Sequence, residues 1–416
     1  MGTTTVESKE SVKTQEERVK EITEKLEQSI KELFESKKYA DYLKMMSKLH
    51  QYSFNNSMLI AMQKPDATMV AGFTSWEANF HRHVKKGESG IKILAPSPYK
   101  ITKDIVKTDE NQKVIFDKDG RPVFDRVEVT IPAYKVTTVF DVSQTYGEPI
   151  PELATNLTED VKDYDRFLNA IREVSPVPIE IQSIDSAANG YYDLVDKKIV
   201  IKESNSQSQI LKTAIHELSH AKLHDKETGT EGNIDRRTKE VQAESIAYTV
   251  CCHYGLDTSD YSFGYIAGWS SDKDLDELKR SMNTIRSTAS EIIRGIDASL
   301  IRAIQEEKIE TLATDIDRFS KDYDHYDYVD SVEDPEKHRE EIKTDLRSGN
   351  VEHIQQWFKS VIEDSEPTDE YYGEAIDIAR RIGEHAKERP KEHVAEKTAA
   401  VNEAVEHKAV VKHHHR

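Results

Sequence analysis

His216 and His220 stand four residues apart in Thr213-Ala-Ile-His-Glu-Leu-Ser-His220. On a helix that spacing puts two imidazoles one turn apart on one face, with Cβ atoms roughly 5–6 Å from each other, a separation that suits two ligands of one metal ion. Glu217 rides beside them, where a carboxylate can take a proton from water activated by the ion, as in the His-Glu-x-x-His pattern of zinc peptidases. Chemistry of that kind needs three protein ligands and an open fourth position, so a third ligand must lie downstream.

A third histidine in the extended motif requires Gly and His three and six residues after His220, where this chain has Leu223 and Lys226. The remaining source is a following helix from Arg237 to His253, with Gly255 placed to cap its end. Glu240 and Glu244 lie one turn apart on it, among Val241, Ala243, Ala247 and Tyr248. The expectation is that Glu240 is the ligand and Glu244 the acceptor that orients a ligand histidine through its other ring nitrogen, with the reverse assignment left open. The bland reading makes both solvated helix charges. His224, eight residues from His216 and so about 12 Å along a helix axis, cannot share the ion and reads as a surface or packing residue. Cys251 and Cys252 read as small apolar side chains of the second helix.

These groups need elements to carry them. Ile210, Leu211, Ala214, Ile215 and Leu218 give the histidine helix an apolar flank that can enter a core while the imidazoles face a cleft. Val161 to Val174 reads as a helix, Val177 to Ile181 as a strand, and 190–193 with 198–202 as a hairpin leading to the metal helix. In metallopeptidases of this shape the strand before the helix holds an extended peptide by backbone hydrogen bonds. Tyr261 and Tyr265 follow the ligand helix as candidate donors to an oxyanion, though packing alone accounts for either.

Toward the N-terminus, Val19, Ile22, Leu26, Ile30, Leu33 and Phe34 repeat at helical spacing, and a second helix follows around Tyr39 to His50. Tyr52 to Gln63 reads as a helix, Pro65 to Trp76 as a loop entering another, and Val84 to Gly90 as a turn before a strand at Ile91 to Leu94. Val114 to Phe116, Val127 to Ile131 and Tyr134 to Phe140 are further β-rich segments, with a turn at Asp119-Gly120.

The stretch Asn55 to Pro96 resembles the N-terminal domain of the ArdC antirestriction family. Gly190-Tyr-Tyr, the His-Glu-Leu-Ser-His core, Glu240-Val-Gln-Ala-Glu244 and Tyr265-Ile-Ala-Gly-Trp269 extend the likeness over about residues 16 to 300, and the LtrC-like proteins of conjugative elements are similar too. The resemblance implies single-stranded DNA as a partner of the N-terminal domain, a zincin-like metallopeptidase domain with Zn2+ as cofactor, and protection of incoming DNA from restriction. On the residues themselves, Tyr52, Phe73 and Trp76 offer faces for base stacking, and Arg82, Lys85, Lys86 and Lys92 can track phosphates. Against this, Trp76 and Phe80, four residues apart, also read as core residues of their helix, and Lys85-Lys86 as an ordinary solvated turn.

The expected fold class is α+β: a small α+β DNA-binding domain over 16–150, a zincin-like domain over 151–300 and an acidic helical accessory region over 301–385, between a flexible terminus at 1–15 and a disordered tail at 386–416. The net charge of -19 argues against a protein that coats duplex DNA, but residues 75–135 hold 12 Lys and Arg against 9 Asp and Glu, while 301–416 hold 18 against 29. An anion-binding surface therefore belongs in the first third. Two cysteines provide no disulfide framework, and no apolar run approaches a membrane span, so a reducing cytoplasm without membrane partners is expected. Three function classes follow: a peptidase with an unknown protein or peptide substrate, a binding module on a catalytically silent zincin scaffold, and a fold held by a structural metal.

Overall fold

The computed structural model describes residues 14–109, 113–150, 161–225, 234–323, 335–369 and 371–387. Nearly all of the terminus at 1–15 and the tail at 386–416 lie outside them.

Helix α1 (Gln15–Leu33) opens with a capping box, in which the Thr14 hydroxyl accepts from the Glu17 amide at 3.2 Å and the Glu17 carboxylate accepts from the Thr14 amide at 2.8 Å. Caps of this kind contribute about 1 kcal/mol. Leu26, Ile30 and Leu33 bury one stripe of α1, and α2 (Ser36–Met46) and α3 (Phe54–Gln63) complete a helical layer. It packs on an antiparallel sheet of β1 (Val70–Gly72), β6 (Tyr134–Asp141) and β3 (Ile91–Pro96), with β6 in the middle. Helix α4 (Phe73–Phe80) follows β1, and β2 (Arg82–Val84) pairs with β7 (Thr145–Gly147).

Strands β4 (Tyr99–Val106) and β5 (Phe124–Ile131) form a separate two-stranded ribbon. Strand β4 is not legible in the sequence, because Lys, Thr and Asp interrupt its few apolar residues and nearly all of it is exposed. Val114 and Phe116 make only isolated bridges, to Thr108 and Pro122, and Gly120 turns the chain at φ 77°.

A three-stranded sheet positions the metal helix. Strand β10 (Lys198–Lys202) lies in the middle, parallel to β8 (Ile179–Gln182) on one edge and antiparallel to β9 (Gly190–Asp193) on the other. Ile199, Val200 and Ile201 are fully buried, and each such side chain contributes about 1.5–3 kcal/mol. Helix α6 (Gln207–Leu223) starts at Ser206, whose hydroxyl accepts from the Gln209 amide, and buries Ile210, Leu211, Ala214, Ile215 and Leu218. Its approach to β9 is close enough that a Cβ at Gly190 would meet Thr213 Cγ2 at 2.6 Å, so only glycine fits there.

Helix α7 (Arg236–His253) is capped by Asp235, which accepts from the Thr238 amide at 3.0 Å and from its hydroxyl at 2.6 Å. The indole of Trp269, on α8 (Ile266–Ser270), donates to the same hydroxyl at 3.0 Å. Gly255, at φ 71°, ends α7 in the left-handed region.

Contacts divide the described residues into two units, 14–150 with 175–293, and 161–174 with 294–387. Where the sequence suggested a boundary at 150, contacts run across it: Lys279 pairs with Glu27 at 3.0 Å, and His253 Nδ1 lies 2.8 Å from the Ser47 carbonyl. The long helix α9 (Leu275–Tyr323) belongs to the first unit through residue 293 and to the second from 294.

The second unit is helical, made of α5 (Val161–Val174), the end of α9, α10 (Pro335–Ser348), α11 (Glu352–Asp364) and α12 (Tyr372–Lys387). Its own core gathers Leu312, Ile316, Phe319, Leu346, Phe358 and Ile378. Among the described residues no helix is long and apolar enough to cross a membrane.

Candidate metal centre

Three donor atoms from α6 and α7 converge. His216 Nε2 lies 3.2 Å from His220 Nε2, and Glu240 Oε2 stands 3.8 Å from the first and 3.7 Å from the second. Donors on a tetrahedral zinc at about 2.0–2.1 Å stand about 3.3 Å apart, so small side-chain rotations close this triangle on one ion. Two imidazole nitrogens this close share either one proton or a cation. The residues present therefore fit a divalent metal, and they form a potential ligand set among the described residues.

The electrostatics agree with that use. Burial, with the neighbouring His220 ring, pushes the His216 pKa down to about 4, so this imidazole is neutral and free to ligate at neutral pH. The facing His220 ring, with Nε2 3.7 Å from Glu240 Oε2, lowers the Glu240 pKa below the ordinary carboxylate range. Glu244 Oε2 lies 3.5 Å from His216 Nδ1, on the side of the ring away from Glu240. Burial and the carboxylates of Glu240 and Asp260 raise the pKa of Glu244.

Glu217 shares a cavity of about 360 Å³ with His216, Glu244, Lys212, Tyr261 and Gly190. Burial raises its pKa, and the nearby Tyr192 amide of β9 works against that shift. A carboxylate raised by burial is suited to accept a proton from water and pass it on. Lys212 is held in the cavity wall by Asp260 at 2.8 Å.

The two tyrosines differ. Tyr261 lines the cavity, but its hydroxyl lies 3.9 Å from the buried Cys251 sulfur and its ring packs on Tyr248. Tyr265 is 38 % exposed, and burial and the Glu244 and Glu240 charges raise its pKa, which sets its hydroxyl in the field of both carboxylates.

His224 is not a surface residue. It is buried at the C-cap of α6, with Nδ1 2.9 Å from His220 Nδ1 and Nε2 2.8 Å from Gln242 Oε1. The overlooked signal was local: a histidine one turn beyond a ligand histidine sits on the same helical face.

The candidate DNA residues scatter. Trp76 is fully buried and donates through Nε1 to the Phe140 carbonyl at 3.0 Å, so it is a core residue and not a stacking face, and Phe80 packs on it at 5.1 Å. Tyr52 is also tied inward, its hydroxyl donating to the Val70 carbonyl at 2.7 Å. Arg82 is spent on Thr145 Oγ1 at 2.8 Å and on the Gly147 and Glu148 carbonyls, where it clamps β2 to β7 instead of offering a free guanidinium. Phe73 is 58 % exposed. Lys86 is exposed, as are Lys85 and Lys92, which hold the Ser143 carbonyl at 2.8 Å and Thr138 Oγ1 at 2.6 Å. Tyr99, Phe116, Phe124 and Tyr134 are exposed on or near the ribbon and had not been singled out.

Residues 12–140 match the family described as the N-terminal domain of anti-restriction factor ArdC. An uncharacterized protein of Bacillus anthracis is 31% identical over 334 residues, which cover 73% of this chain and 55% of that protein, so the chain spans about half the length of the curated relative it matches. Crystal structures of the antirestriction ArdC protein from the R388 plasmid also align. The metal-free form is 21% identical with a TM-score of 0.33, over 60% of this chain and 84% of that one. The Mn(II)-bound form is 18% identical with a TM-score of 0.34, over 60% and 85%.

Proposed function

Residues 12–140 form an ArdC N-terminal domain, and from that premise we propose that this is an antirestriction protein of a mobile element, one that binds single-stranded DNA through this domain and hydrolyses peptide bonds at a divalent metal centre beside it. The observation that carries the hydrolytic half is the triangle of His216, His220 and Glu240, with edges of 3.2–3.8 Å and Glu217 on the adjoining cavity wall.

In this reading His216, His220 and Glu240 would hold the ion beside the cavity that His216 and Glu217 line. When bound, the ion would supply Lewis acidity, and zinc suits a set of two imidazoles and one carboxylate. Glu217 takes the proton of the attacking water and returns it to the leaving amine. Glu244 fixes the His216 ring from its Nδ1 side, and Tyr265 donates to the oxygen on which charge develops. The β9 edge, next to the cavity, lines up an extended peptide.

The DNA-binding half rests on Phe73, Lys85, Lys86 and Lys92, which stay exposed on the family domain. One stacked aromatic with several cations is a minimal strand-tolerant surface. Purified full chain loaded with zinc, given denatured proteins and peptide mixtures, tests the hydrolytic half: cleavage that disappears on chelation and returns with metal supports it, and intact substrates leave only the silent scaffold. A mobility-shift series with single-stranded and duplex oligonucleotides tests the other half, which fails if neither or both bind alike.

A further inference from the structure

His224 and Gln242 have no role in the hydrolytic scheme, yet both are buried, at 8% and 1% exposure, and they form a chain that ends on a metal ligand. Two ring nitrogens 2.9 Å apart, His220 Nδ1 and His224 Nδ1, need one proton between them, so one donates and the other accepts. The far end of the chain settles which. When Gln242 Oε1 accepts from His224 Nε2–H across 2.8 Å, a neutral His224 keeps a lone pair on Nδ1. His220 must then donate from its Nδ1–H, and its Nε2 carries a lone pair toward His216 and Glu240. With the Gln242 amide reversed, the proton moves to His220 Nε2, where it would occupy the position that faces Glu240 Oε2 at 3.7 Å.

We infer that Gln242 and His224 are positioning residues that set the tautomer of His220, and so present its Nε2 as a ready metal donor. This rests on the metal-site reading above. Ligand histidines ordinarily give their other N–H to a carboxylate, carbonyl or water, and loss of that partner costs about 10–100-fold in metal affinity. Here the partner is a neutral imidazole backed by an amide. His216 has the more usual arrangement, with the Glu244 carboxylate 3.5 Å from its Nδ1. The two ligand histidines are thus held by different chemistry, one by a charge and one by a relay without net charge.

The test uses the full chain and two readouts. Zinc affinity is measured by competition with a chromophoric chelator for wild type, Gln242→Met and Gln242→Glu, each checked for an unchanged circular dichroism spectrum. Gln242→Met removes the acceptor at similar volume and is expected to weaken binding about 10–100-fold. Gln242→Glu restores an acceptor that can only accept, and returns affinity to wild type or better, which a purely structural role would not produce. Independently, 15N spectra of histidine-labelled, metal-free wild type are expected to show His220 protonated on Nδ1 with an unprotonated Nε2. Unchanged affinity in a folded Gln242→Met, or an Nε2–H tautomer at His220, overturns the inference. If wild type takes up no zinc, the metal reading fails, and the tautomer spectrum still decides the relay.

Discussion

The Tyr39 hydroxyl lies 2.8 Å from that of Ser245, and both residues are fully buried. Tyr39 belongs to α2, in the region of the ArdC N-terminal domain, and Ser245 follows Glu244 on the helix that carries the candidate ligand. The ring of Tyr39 also packs on Phe34 at 5.7 Å and Phe263 at 5.2 Å. The N-terminal helices are therefore part of the packing that holds α7. Tyr39→Phe keeps the ring and leaves the Ser245 hydroxyl without this partner, which should cost about 1–2 kcal/mol in denaturant unfolding of the first unit. An unchanged midpoint would show that the contact contributes nothing.

Glu217→Gln separates binding from chemistry. The amide cannot accept the proton of water, so turnover should fall about 10²–10⁴-fold with zinc content unchanged. Equal loss of metal and activity would move Glu217 from base to structural support.

Acidification should loosen the metal-free protein. Burial holds both His216 and His224 at a pKa of about 4, against 6.5 in an open chain. Between those values the unfolded state binds more protons than the folded one, so stability that is full above pH 6.5 drains away as pH falls toward 4. Each histidine contributes a slope on the order of 1 kcal/mol per pH unit through that window. Chemical denaturation at pH 7, 6 and 5 should give falling stability, with a shallower fall in His224→Gln. A flat profile contradicts burial of neutral rings.

For DNA, two aromatic residues of α4, Phe73 and Trp76, should behave oppositely. Trp76→Ala removes a buried indole and should destabilise the fold by about 3–5 kcal/mol. Phe73→Ala and Lys86→Ala should leave the melting temperature within a degree or two and weaken single-strand binding, with the Lys86 change also reducing the salt slope. Full binding by a folded Phe73→Ala, Lys86→Ala double variant would move the interface elsewhere, with the exposed aromatics near the ribbon next in line.

What the sequence discloses and what it hides divide along range of interaction. The His216/His220 pair, the apolar flank of α6, the Gly255 cap and the 190–202 hairpin are local patterns, and each is legible within one or two turns or a single hairpin. Within the helical region expected over 301–385, the bounds of α10 are hard to place from sequence because Ile342 and Leu346 are nearly its only large apolar side chains among many charges. Trp76 was ambiguous because the partner of its indole, the Phe140 carbonyl, lies 64 residues on. For His224 the packing alternative holds, but its acceptor Gln242 sits 18 residues away on another helix, beyond the reach of any local pattern. Choosing between Glu240 and Glu244 likewise depends on how α6 and α7 cross, which no spacing states.

The central claim is that His216, His220 and Glu240 clasp one cation while Glu244 stands behind His216. Metal content by mass spectrometry, on wild type, Glu240→Ala and Glu244→Gln purified and zinc-loaded in parallel, tests it most directly. All three keep His413 to His415, so metal held by that tail is common to them. The expected result is about one more ion per chain in wild type and Glu244→Gln than in Glu240→Ala. Equal content in wild type and Glu240→Ala, or loss in Glu244→Gln alone, would contradict it.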